Sequence, residues 1–144
     1  MSDDTIIVQA TTVAIDGRAL AIEGPSGSGK STLALALIDR GAQLIGDDGV
    51  TLRRVDNRIM ASPPPNIGGV IEVHGVGLFD TPIGEPAPLA LIIDLGESGE
   101  RLPDTLPVKH YLGVAIPRLD FAPGTIAPAL RAERALEKHG LSKD

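Results

Sequence analysis

Apolar and polar positions alternate with a short period through the first part of the chain. Ile6–Val8 and Val13–Ile15 are short β-branched runs, and such side chains fit the pleated surface of a strand. Asp16-Gly17 follows, a pair suited to the left-handed conformations of a tight hairpin. Ala19–Glu23 is therefore expected to return as the next strand. The period then changes. Lys30–Arg40 contains no Gly or Pro and carries Leu33, Leu37 and Ile38 at helical spacing, which predicts a helix. Gly41 stands where a helix-terminating glycine is expected. Ala42–Ile45 reads as a buried strand, and Val50–Arg54 with Arg58–Ser62 as a hairpin about Asp56-Asn57.

Pro63-Pro64-Pro65 closes that unit, since such a run suits neither helix interior nor central strand. Ile71–Val73 and Gly75–Phe79 form an apolar, glycine-broken segment ending at Asp80. Leu89–Leu95 is the most hydrophobic strand candidate. The polar stretch Gly96–Asp104 reads as a mobile loop, and Val108–Ile116 as one strand. Pro128 opens a helix over Ala129–His139, with Gly140 as its stop. Without repeats or a long linker, the 144 residues read as a single α/β domain with several β-hairpins.

Composition narrows the function classes. Aromatic residues make up only 2% of the chain, so the core must come from Val, Ile, Leu and Ala. A net charge of −6 argues against a nucleic-acid partner, because no basic stripe exists to neutralise a phosphate backbone. The absence of cysteine excludes disulfides and thiolate metal sites. His110 and His139 are solitary and offer no metal spacing. No basic-then-apolar leader opens the sequence, and no run approaches the roughly 18 apolar residues of a membrane span. The expectation is a cytoplasmic protein with no membrane partner.

Gly24-Pro25-Ser26-Gly27-Ser28-Gly29-Lys30-Ser31 matches the phosphate-binding pattern G-x-x-x-x-G-K-[ST] at every fixed position, with Thr32 next. Gly27 and Gly29 let successive backbone N–H groups point inward around phosphate oxygens. The helix that starts near Lys30 adds its N-terminal dipole. Lys30 supplies a cation for the β- and γ-phosphates, and the Ser31 hydroxyl a magnesium ligand. ATP and Mg²⁺ are the cofactors this loop predicts. Two places could supply a further magnesium-linked carboxylate: Asp47-Asp48 after one buried strand, and Asp94 at the end of Leu91-Ile92-Ile93. Residue chemistry alone leaves both open, since a strand-end Asp is often only a turn residue.

Gly-Lys-Ser followed by Leu-x-Leu-x-Leu-Ile-x-Arg-Gly-Ala-x-Leu-Ile-Gly-Asp-Asp resembles the catalytic domain of HPr kinase/phosphorylase, a P-loop domain of the HPr kinase and PEP carboxykinase type. Ile71-Glu72-Val73-His74-Gly75-Val76-Gly77-Leu78-Phe79-Asp80 is similar to that family's glycine-containing signature. The resemblance is firm from Ala19 to Asp80 and matches a short form without an N-terminal domain. It implies an ATP-dependent serine kinase acting on the phosphocarrier HPr or a related carrier, in the regulation of carbon metabolism. The family's reverse reaction is phosphorolysis, and its members form hexamers. Asp48 then matches the general base, and Glu72 a magnesium-linked carboxylate with Asp47 and Ser31. Arg101 matches a catalytic arginine. His74 carries no assigned role.

Two departures stand out. The family has a histidine near the N-terminus where this chain reads Val8-Gln9-Ala10, and glutamine carries no titratable proton at neutral pH. If the strand of Ile6–Val8 runs beside the P-loop strand, Gln9 lies near Asp48. The basic loop associated with phosphorolysis has Pro117-Arg118 as its nearest counterpart, and Thr32 stands where longer enzymes carry an acid. Two competing readings stay open: a small-molecule P-loop kinase, for which no arginine-rich lid is evident, and an ATP-binding regulatory module with little catalysis.

Overall fold

Two kinds of alternation decide the architecture, which a computed structural model describes for residues 4–65, 69–73, 75–96 and 102–142. The order is β1 (Thr5–Val8), β2 (Thr11–Ile15), β3 (Arg18–Glu23), α1 (Lys30–Asp39), β4 (Gln43–Gly46), β5 (Val50–Val55) and β6 (Arg58–Ser62). There follow β7 (Val70–Val73), β8 (Gly77–Asp80), β9 (Ala87–Asp94), β10 (Val108–Tyr111), β11 (Val114–Asp120) and α2 (Pro128–His139). Along β3 and β9, Leu20, Ile22, Leu91 and Ile93 face one side, where they pack with Leu33 and Leu37 of α1 and Leu136 of α2. The intervening Ala19, Ala21 and Ile92 face the other side, among Val50, Leu52, Ile59 and Ile116 of the remaining strands. Helices thus cover one face, and the curling sheet covers the other with its own strands. Small alanines at positions 19 and 21 let that second layer approach closely.

The main sheet runs β1-β5-β6-β9-β3-β2-β4. One edge of β9 is shared: β6 pairs antiparallel at Ala87 and Pro88, and β11 pairs parallel at Ile92–Asp94. The sheet forks there, and β3, β9 and β11 end together, with Glu23 and Asp120 both in register with Asp94. The largest fully buried side chains are all Leu or Ile, each contributing about 1.5–3 kcal/mol. The expected aliphatic core is therefore present.

Local chemistry sets most turns. Asp16 and Gly17 adopt φ of 51° and 82°, the two left-handed residues of the hairpin joining β2 to β3. Gly41 ends α1 at φ 113°, and the Ala42 amide closes back on the Leu37 carbonyl. Gly140 stops α2 in a different way, since an added Cβ would meet the Leu136 carbonyl oxygen at 2.5 Å. β7 and β8 form a separate two-stranded hairpin.

Two expectations need correction. Val108–Ile116 is not one strand; it folds at Leu112-Gly113 into the β10–β11 hairpin, and β11 continues to Asp120. A leucine at φ 52° gives no turn signal, and the Arg54 guanidinium holds it by donating to the Leu112 carbonyl at 2.9 Å. Nor does the Ile6–Val8 strand lie beside the P-loop strand. β1 pairs with β5 near the far edge, and β2 lies beside β3. Arg101 and His74 lie outside the described residues, as does much of Gly96–Asp104. Among the described residues no helix is long and apolar enough to cross a membrane.

Candidate functional site

The loop between β3 and α1 is shaped by its glycines. Gly27 and Gly29 have φ of 83° and 100°, a region costly to any other residue. Gly24 is needed for space as well as for its φ of 151°, because a Cβ there would meet Ser28 Oγ at 2.7 Å. Gly29 caps α1 without a side-chain hydrogen bond, so no side chain at the cap satisfies the first helical amides. Orphan N–H groups and the helix dipole together favour an anion at this point. The Lys30 amine donates to the Gly24 carbonyl at 2.8 Å and lies 3.6 Å from Asp48 Oδ1.

β4 delivers the paired acids. The turn at Gly46–Gly49 is so tight that a Cβ on Gly46 would sit 1.9 Å from the Gly49 carbonyl oxygen. Asp48 takes a left-handed conformation, φ 60°, which aspartate tolerates better than most residues. Its carboxylate is exposed, whereas Asp47 is half-buried and held from three sides. Ser31 Oγ donates to Asp47 Oδ1 at 2.6 Å, and Thr11 Oγ1 donates to the same oxygen at 3.1 Å. The Glu72 backbone amide donates to Asp47 Oδ2 at 2.9 Å. Thr11 Oγ1 also accepts from the Asp48 amide at 3.2 Å. Glu72 is thus brought to the site by its backbone, with its own side chain exposed on β7.

This geometry separates the two carboxylates that residue chemistry left open. Asp47 meets the P-loop serine, while Asp94 is taken up by Arg118, which forms an ion pair with it, and by the Gly96 amide at 2.7 Å. Burial alone would raise the Asp94 carboxyl. The Gly96 and Arg118 hydrogen bonds outweigh that and hold it below the usual carboxylate range. Arg118 also lies 3.5 Å from Asp120. Beside this pair, Tyr111 Oη donates to Glu23 Oε2 at 2.7 Å, and Lys109 Nζ reaches both Glu23 oxygens at 3.2 Å. Burial and then the bond to Glu23 push the Tyr111 phenol up, away from ionisation.

A hydroxyl and a carboxylate in direct contact, both hard oxygen donors, suit magnesium, which keeps several waters and otherwise binds phosphate oxygens. Among the described residues no three acids or histidines form a ready-made metal cage. Gln9 lies exposed between β1 and β2, with Val8 opposite Val50 and Thr11 touching Asp47 and Asp48. It therefore sits at the acid-bearing end of the sheet after all, by way of β5 and β2 and not of β3. Sequence reasoning missed Thr11. A buried threonine in a β-branched strand carries no signal until its neighbour is known.

The family described as the HPr Serine kinase C-terminal domain matches this chain over residues 3–122. HPr kinase/phosphorylase of Clostridium tetani is 40% identical over 70 residues, 49% of this chain and 23% of that protein. The Clostridium botulinum protein of the same name is 44% identical over 68 residues, 47% of this chain and 22% of its own length. The match thus spans about a quarter of these curated relatives. The solved structure of the Hpr(Ser) kinase/phosphatase from Coxiella burnetii superposes with a TM-score of 0.80 at 29% identity, covering 93% of this chain and 95% of that one. By sequence and by fold, the chain belongs to the HPr Serine kinase C-terminal domain family.

Proposed function

We propose that this chain is an ATP-dependent, magnesium-dependent serine kinase that phosphorylates HPr or a related phosphocarrier protein. The observation that carries the reading is the convergence of Ser31, Asp47, Lys30 and Asp48 at one end of a family-type fold. In this reading the loop amides of Gly24–Ser31 and the Lys30 ammonium hold the phosphates, and Thr32 continues that cradle into α1. Ser31, Asp47 and the Glu72 carboxylate provide oxygen ligands for Mg²⁺, whose chemistry is to neutralise charge on the phosphoryl oxygens. Asp48 accepts the proton of the acceptor serine as its hydroxyl oxygen bonds to the γ-phosphorus. The bond from that phosphorus to the β,γ-bridging oxygen breaks, and ADP leaves with the electron pair. Arg101 supplies positive charge to the transferring group.

The exposure of Asp48 supports this role, because a base for a protein hydroxyl must be reachable by the partner's surface. Phosphorolysis has less to work with here: Gln9 replaces a titratable group, and Arg118 is engaged by Asp94 and Asp120. We therefore assign the forward reaction. In keeping with a net charge of −6, this reading gives nucleic acid no role; it takes the kinase to be cytoplasmic and self-associating, the latter measurable by sedimentation velocity. The test is intact-mass analysis of carrier proteins from the same genome after incubation with this chain and Mg-ATP. One added phosphoryl group on a serine is the expected result. No transfer to any carrier, with ATP still bound, would replace this reading with an ATP-binding module.

A further inference from the structure

The end of β11 carries a pocket that the phosphate chemistry does not use. It is a cavity of about 290 Å³ between the segment at Leu102–Pro107 and the chain leaving β11, with Leu102, Leu106, Leu119 and Phe121 as apolar walls and Asp120 at its polar side. That volume lies at the small end of ligand sites. A second cavity, about 580 Å³, lies along α2 and includes no P-loop residue.

Three observations tie the smaller pocket to the loop. First, β3, β9 and β11 are parallel and in register at their ends, so the pocket opens two strand spacings, about 10 Å, from the P-loop strand. In open parallel sheets ligands lie across the carboxyl ends of the strands. Second, the turn after β9 connects the two places. A Cβ on Gly96 would meet Pro25 at 3.1 Å, and the Arg118 side chain that lines the pocket is paired with Asp94. Third, Asp47 follows β4, which lies beyond β2 on the other side of β3 from β9, and it meets Ser31 at the start of α1. A nucleotide whose phosphates sit in the loop with metal toward Asp47 has its nucleoside directed toward β11.

The pocket is held in shape without a ligand. The Arg118 amide donates to the Pro107 carbonyl and the Phe121 amide to the Asp94 carbonyl, each at 2.9 Å. Arg131 stacks over the Phe121 ring at 5.0 Å and donates to the carbonyls of Ala122, Pro123 and Ile126. The row of acids at the strand ends is largely offset, Glu23 being paired with Lys109 while Asp94 and Asp120 share Arg118, which lessens the repulsion of a polyphosphate.

Building on the nucleotide reading above, we infer that this pocket at the end of β11 is the purine subsite. The base lies between Leu102, Leu106 and Phe121, and Asp120 accepts a hydrogen bond from its amino group. Calorimetric titration of the full chain with Mg-ATP, Mg-purine riboside triphosphate (which lacks the amino group) and Mg-tripolyphosphate tests it. Ala122→Trp, at an exposed position beside the pocket, should weaken ATP about tenfold and leave tripolyphosphate unchanged. Asp120→Ala should weaken ATP severalfold and purine riboside triphosphate little, with unfolding temperatures of both variants near wild type. Unchanged ATP affinity in Ala122→Trp, or equal loss for ATP and tripolyphosphate, would overturn the subsite. Failure of the wild-type chain to bind any of the three would instead remove the nucleotide reading itself.

Discussion

Ser31 Oγ and Asp47 Oδ1 lie 2.6 Å apart, joining the last residue of the P-loop motif to the turn after β4. The two are 16 residues apart in sequence: Ser31 lies at the start of α1, after β3, and Asp47 follows β4, with β2 between those two strands. This contact brings a hydroxyl and a carboxylate to the position a nucleotide-borne magnesium would need. Asp47→Asn keeps the shape and removes the charge. Mg-ATP affinity should fall by roughly ten- to a hundredfold, while metal-free ATP binds about as before. Calorimetry with and without Mg²⁺ separates the two, and equal loss in both would place the metal elsewhere.

Lys30→Ala should weaken ATP binding and remove phosphoryl transfer. The Lys30 side chain is only 15% exposed, yet its amine meets polar groups alone, the Gly24 carbonyl and Asp48. Its loss therefore removes phosphate binding and not core packing, and thermal unfolding should change little. Unchanged ATP affinity in a folded variant would refute the role given to the loop.

Asp48→Asn should abolish transfer to protein and spare Mg-ATP binding, because the amide lacks the lone-pair basicity to take a seryl proton. Asp94→Asn should do the reverse, lowering stability while sparing transfer. The Asp94 carboxyl is held below its ordinary range, against the cost of burial, by Gly96 and Arg118. A depressed carboxyl stabilises the fold above its unfolded value, about 3.9, and that contribution disappears as pH falls through the folded value. The variant should therefore be less stable than wild type by about 1–3 kcal/mol at pH 7, with the gap closing in strong acid. Urea unfolding at several pH values measures this.

Thr11→Val should slow transfer in a folded protein. The fully buried hydroxyl donates to Asp47 and accepts from the Asp48 amide, fixing both acids from β2. Removing it takes one hydrogen bond from the Asp48 amide and one from Asp47, a cost of about 0.5–1.5 kcal/mol for each bond. Thr11→Ser keeps the hydroxyl and should restore the rate. Single-turnover measurements that found valine and serine equally slow would assign the effect to packing alone.

Gln9→His should accelerate transfer by roughly ten- to a hundredfold, the low end of what one proton-transfer group contributes. Gln9 is exposed beside the strand that holds Asp47 and Asp48, where an imidazole can share the proton Asp48 takes. Rates at saturating ATP decide it. Equal rates mean that Asp48 suffices alone, and a lower rate gives the glutamine amide a positioning role.

Elements whose conformation is set by adjacent residues were legible in the chain. Asp16-Gly17, Gly41 and Pro128 announce their turn, stop and start because the required dihedral angles belong to those residues. The fold at Leu112-Gly113 was not legible, since Arg54, 58 residues away, holds the Leu112 carbonyl. Nor was the forked edge of β9, where Ala87 meets β6 and Asp94 meets β11. Alternation in one strand cannot name its neighbours.

The sequence by itself determined the phosphate-binding loop, because every group it needs is contiguous between Gly24 and Ser31 and its glycine angles are local. It also determined that acids stand at two strand ends. Which acid meets the loop was decided only by tertiary structure. β2 lies between β3 and β4 and carries Thr11, which sets Asp47 against Ser31, while β11 beside β9 brings Arg118 to Asp94. Strand order is a property of the packed sheet, in which buried faces and backbone hydrogen bonds from the whole chain are satisfied together.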